Sequence, residues 1–137
     1  MARPLPIIAA LVVLSIAATL WWLFHGPVAT GEDGTTVQEV ASCSEELPWE
    51  KPPQVERVSH ESSALLVRIL ANASCGPLQA EQPSAAIEGN TVTLSWQWVA
   101  PKDAALAACL CTRRLEFRIP KAQSISSPVI VISEGAR

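Results

Sequence analysis

The stretch AACLCTRRLEFRIP, Ala107–Pro120, puts two cysteines one residue apart and then alternates between apolar and charged side chains. Successive side chains of an extended chain point to opposite sides. Leu115, Phe117 and Ile119 therefore fall on one face, and Arg114, Glu116 and Arg118 on the other. That is the pattern of a half-buried β-strand. The pair Arg113–Arg114, followed by Glu116 and Arg118, reads as the strand's solvated face.

The same period recurs on either side. In TVTLSWQWV, Thr91–Val99, the residues Val92, Leu94, Trp96 and Trp98 share a face opposite Thr93, Ser95 and Gln97. Glu88-Gly89-Asn90 is a tight-turn signal that joins this strand to a short one near Ser84–Ile87. Ser127–Ser133 reads as a terminal strand whose Pro128 suits a sheet edge. Ser62–Cys75 places Leu65, Val67, Ile69, Ala71 and Ala73 at alternate positions and is read as a strand, although its Ala and Leu content also permits a helix. Pro101–Ala108 reads as a connection with one or two helical turns capped by Asp103. About six or seven short strands in roughly 100 residues predict a mainly β fold, a small antiparallel Ig-like β-sandwich. Trp96, Trp98, Phe117 and the aliphatic positions make a modest core for that size, which cross-links would reinforce.

The N-terminus has a different character. Leu5 to Phe24 contains no charged residue and, as a helix, would span about 30 Å, the thickness of the bilayer hydrocarbon core. Residues 1–25 are read as a signal anchor that holds the protein in a membrane, with cleavage and secretion as the alternative. Arg3 before the span, with Glu32 and Asp33 after it, predicts a cytoplasmic N-terminus and a periplasmic or extracellular C-terminal part. Residues 26–38, rich in Gly, Thr and acid, are read as a flexible tether, and residues 39–137 as the domain. Beyond the span, nine basic side chains face thirteen acidic ones, which leaves no footprint for nucleic acid.

All four cysteines, Cys43, Cys75, Cys109 and Cys111, lie on the exported side of that topology, where an even count reads as disulfides. On one strand, Cys109 and Cys111 would have Cα atoms about 6.5–7 Å apart, at the limit of a bridge. They are expected to take separate partners, Cys43 and Cys75, in either order. The competing reading is a soft-metal or thiol-handling site built from Cys75, Cys109 and Cys111 with His60, suited to copper or zinc. Against it stand the missing Cys-x2–4-Cys pair and the missing Cys-x-x-Cys motif. No cofactor is expected.

Catalytic groups are scarce. The chain has two histidines, of which His25 sits at the membrane exit and His60, in VSHESS, reads as an exposed turn residue. No Gly-x-Ser-x-Gly elbow or phosphate-binding glycine loop is present. Asn72-Ala73-Ser74 is a formal glycosylation acceptor. Trp49, within the proline-rich EELPWEKPP, is expected to pack on the sheet, the alternative being a partner ligand. Trp96 and Trp98 would form a binding platform if exposed, and are expected to be buried because the opposite face is polar.

NASCG (72–76), GNTVTLSW (89–96) and CLCTRRLEFRI (109–119) together resemble small exported bacterial β-sandwich proteins of unknown function, which carry a Ser-Cys and a later Cys-x-Cys strand. The resemblance implies a disulfide-bearing Ig-like sandwich and brings no activity with it. The long N-terminal anchor departs from the lipoprotein form common among those proteins. The expectation is thus a membrane-anchored, non-catalytic module for a protein partner or for envelope structure.

Overall fold

In a computed structural model, the described residues are 27–44, 47, 48, 50–105 and 108–133. The chain folds as two β-sheets around one core. The strands are β1 (Val28–Thr30), β2 (Thr36–Ser44), β3 (Gln54–Glu61), β4 (Ala64–Ser74), β5 (Gln79–Glu88), β6 (Thr91–Val99), β7 (Leu110–Ile119) and β8 (Val129–Ile132). One sheet has the order β1-β2-β7-β4-β3, and the other β5-β6-β8. Phe117, Leu65, Val67 and Ile69 from the first sheet meet Val92, Leu94 and Trp96 from the second. The Trp96 and Phe117 rings lie edge-on at 5.6 Å.

The alternating strands stand where their periods put them. β4 resolves the ambiguity of Ser62–Cys75 in favour of a strand, since β7 and β3 hydrogen-bond to its two edges and bury alternate residues. A helix would have turned half of those aliphatic side chains away from the core. Glu88-Gly89-Asn90 closes the β5–β6 hairpin, with Gly89 at a φ of 62°, a conformation glycine adopts without steric cost.

Several expectations are corrected. The segment read as a tether is folded: within residues 27–38, β1 pairs with the start of β2, and Val37 is 1% exposed in the core. The sheets are not wholly antiparallel, because β8 runs parallel to β6. β5 begins at Gln79 and continues past Pro83; the chain accommodates the proline with a register shift between Glu81 and Ser84 and a Gln82 φ of 50°. Bulges on edge strands are where prolines are tolerated. Among the described residues of Pro101–Ala108 there is no helix: Asp103 has a φ of 66° in a turn closed by Ala104 N–H to Pro101 O at 3.0 Å. His60 lies on β3 and not in a turn. The apolar run Leu5–Phe24 and Trp49 fall outside the described residues, among which no helix is long and apolar enough to cross a membrane.

The loop between β1 and β2 ties the two sheets together at one side. Asp33 Oδ1 accepts from Thr35 N at 2.9 Å, and its Oδ2 accepts from the Thr35 hydroxyl at 3.0 Å and from Ala85 N of β5 at 2.8 Å. Burial pushes the Asp33 carboxyl up, but the Ala85 and Thr35 bonds, with the charge of Lys121, outweigh it and hold the carboxyl below its ordinary 3.8. Gly31 sits so close to the Pro83 bulge that a Cβ there would lie 1.8 Å from the Pro83 carbonyl oxygen.

Two outcomes follow from this loop. Gly31→Ala is expected to lower stability by roughly 1–3 kcal/mol in urea melts, since the obstructing atom is backbone. For Asp33, the folded state holds the proton less tightly than the unfolded chain. Its contribution is therefore complete above the ordinary value and drains away as pH falls through the lowered one. Asp33→Asn is expected to be less stable than the parent at neutral pH and to show a shallower acid loss.

Candidate functional site

Cys111 and Arg113 continue the core-facing stripe of Leu115, Phe117 and Ile119 along β7, and Cys109 stands at the same parity one residue before the strand begins. β7 lies between β2 and β4, so residues on that stripe are within reach of partners from both sides. Cys75 and Cys109 directly follow and precede the last β4–β7 pair, Ser74 with Leu110, and form one disulfide with Cα atoms 5.6 Å apart. Cys43 sits in a bulge of β2, at a φ of 53° between Ala41 and Ser44, and bridges to Cys111 with Cα atoms 4.6 Å apart. Separate partners for Cys109 and Cys111 are thus found, and the connectivity the spacing left open is Cys43–Cys111 and Cys75–Cys109.

The two bridges are neighbours. The sulfurs of Cys43, Cys75 and Cys111 all lie within 4.8 Å of one another. Cys111 is buried, Cys75 half-buried, and Cys43 and Cys109 are exposed. His60 does not join them: it pairs with Leu65 at one end of β4, whereas Cys111 pairs with Ala73 at the other. Its Nε2 instead lies 2.6 Å from Ile125 O in the connection after β7.

Arg113 corrects the reading of the Arg113–Arg114 pair. Arg114 is on the outer face, but Arg113 is 4% exposed. Its Nη1 donates to Glu39 Oε2 at 3.0 Å and Leu78 O at 2.8 Å, and its Nη2 to Ser74 O at 2.8 Å and Gly76 O at 2.5 Å. The guanidinium carbon stands 5.5 Å from the centre of the Trp98 ring. A planar fork with several fixed donors suits this cluster of carbonyls, which a lysine would serve less fully. The signal was in the parity: Arg113 shares the alternation of Leu115, and its charge concealed it.

Around this corner, the Thr112 hydroxyl on the other face accepts from Leu47 N at 3.0 Å and lies 3.1 Å from Asn72 Oδ1. Asn72 Nδ2 donates to Pro48 O at 2.9 Å, so the asparagine of the glycosylation motif holds the proline-rich segment. Glu39 and Leu78, both partners of Arg113, also line an open groove of about 520 Å³ with Val28 and Gln79. Trp96 is 4% exposed and Trp98 half-buried, with their rings 6.1 Å apart. Trp96 is therefore unavailable as a platform. Farther along the outer face, Glu56 pairs with Arg114, Glu61 with Arg118 and Glu116 with Arg68. The bidentate Arg114 contact holds the Glu56 carboxyl below its ordinary value.

No family model matches the chain, and no curated protein or solved structure matches it either. Replacing Arg113 by leucine is expected to cost on the order of 2–4 kcal/mol, because carbonyls of the β4–β5 connection lose their donor inside the fold. Chemical denaturation compares it with Arg113→Lys, which is expected to recover only part of the loss.

Proposed function

We propose that this chain is a membrane-anchored, extracytoplasmic module with an Ig-like β-sandwich that binds an extended segment of a protein partner and carries out no catalysis of its own. The N-terminal run Leu5–Phe24 is the anchor, and the domain lies in the periplasm or the extracellular space. The disulfides support an oxidising compartment.

An uncovered strand position supports the binding role. β5 packs beside β1 and β2 through Gly31, Asp33, Pro83 and Ala85, so β6 and β8 follow in the direction of β4 and β3. Three strands facing five leave β3 without a strand over it at Val55 and Val58, although the connection after β7 reaches its His60 end. Val58 pairs with Val67 and Val55 with Ile69, so both valines point to the core side, yet they are 37% and 39% exposed, against 0% for Val67 and Ile69. Among the described residues, the outer edge of β8 has no strand partner, and Val129 and Val131 are exposed beside it. A strand added along β8 would satisfy that edge and lay its alternate apolar side chains on Val55 and Val58.

A photo-crosslinking residue at position 58 tests this in the native membrane. A discrete adduct is expected there and not from position 116 on the ion-paired outer face. Equal labelling from both positions would overturn the assignment. The second reading is a thiol-handling domain, favoured by the closeness of the Cys43, Cys75 and Cys111 sulfurs; copper or zinc binding would require these bridges to be reduced, since thiolates are the ligands.

A further inference from the structure

Adjacent disulfides can exchange when a sulfur of one comes within reach of the other. Cys75 Sγ lies within 4.8 Å of both sulfurs of the Cys43–Cys111 bridge, while its own partner, Cys109, is exposed at the edge of the domain. We infer that the two bridges form an intramolecular thiol–disulfide exchange pair, in which opening the outer bridge turns Cys75 onto the inner one. This rests on the thiol-handling reading and narrows it to a reaction.

The steps balance without a further oxidant. An external dithiol reduces Cys75–Cys109, becoming a disulfide itself and leaving two thiols on the protein. The Cys75 thiolate, its proton released to water, attacks Cys43 Sγ, on the more exposed cysteine of the inner bridge. The Cys43–Cys111 bond breaks, a Cys43–Cys75 bond forms, and Cys111 departs as a thiolate that takes a proton from water. One disulfide has replaced another, with no net change in oxidation.

The product differs functionally from the starting state. Cys43–Cys75 would join the ends of β2 and β4 across β7, leaving Cys109 and Cys111 as free thiols at one-residue spacing at the start of β7. That is a dithiol pair able to pass electrons onward or to hold a soft cation. The ligand class is therefore a thiol, dithiol or disulfide outside the membrane.

Cys109→Ser leaves Cys75 without its partner and starts the exchange permanently. Acid quenching, alkylation and non-reducing peptide mapping of the folded full-length protein are expected to show Cys43–Cys75 beside Cys43–Cys111. Cys75→Ser, which frees the outlying Cys109 instead, is expected to retain Cys43–Cys111 alone. Recovery of only Cys43–Cys111 in the Cys109→Ser protein, with a quantitatively alkylated Cys75, would overturn the inference. If that variant fails to fold, native protein opened with one equivalent of a phosphine is mapped in the same way, and absence of the Cys43–Cys75 peptide is then decisive. Reduction of the folded native protein by a dithiol is scored separately. Bridges that open without rearranging would leave thiol handling standing and remove exchange, whereas bridges that resist reduction until the protein unfolds would remove both.

Discussion

A buried arginine has to find several acceptors at once, and Arg113 finds them in the backbone of a single turn. Ser74 O, Gly76 O and Leu78 O all accept from its guanidinium, and Glu39 supplies the balancing charge from β2. That turn is where the chain first leaves the five-stranded sheet for the three-stranded one. One side chain on β7 thus fixes the path between the sheets, and Trp98 of β6 closes over it. A buried ion pair is weak evidence of net stabilisation but strong evidence of specified geometry, because removing one partner leaves the others unsatisfied.

The disulfides act at the same corner and reinforce the same choice of path. Each one joins β7 to a neighbour that it already pairs with, so they staple a ladder instead of linking distant regions. Their closed loops are nevertheless long, with sequence separations of 68 and 34 residues, and constrain the unfolded chain accordingly. Placing both at the same end of β7, at one parity, brings their sulfurs together. Stability and potential reactivity therefore arise from the same i, i+2 spacing.

The opposite side of the molecule is held less fully. The Asp33 loop and the Pro83 bulge bind the sheets beside β5, whereas β3 extends beyond the cover of β8. The contrast between the packed inner face of β4 and the open inner face of β3 at Val55 and Val58 is a matter of unequal strand number. It locates the binding role proposed for this domain at the edge where a strand is missing.

The sequence by itself determined the β class, the strands β6 and β7, the hairpin turn at Gly89, and the separation of Cys109 and Cys111 between two partners, and left β4 open between strand and helix. Those features follow from local rules: side-chain alternation, glycine's access to positive φ, and the reach of a disulfide. Tertiary structure alone decided which cysteine each takes, because only strand order puts β2 and β4 on the two sides of β7. It also decided that Arg113 is inside, where backbone carbonyls from a distant turn offset the burial of a charge that composition assigned to solvent. The folding of residues 27–38 and the parallel pairing of β8 belong to the same class: a short or proline-interrupted strand carries little periodicity and is specified by the partner it meets.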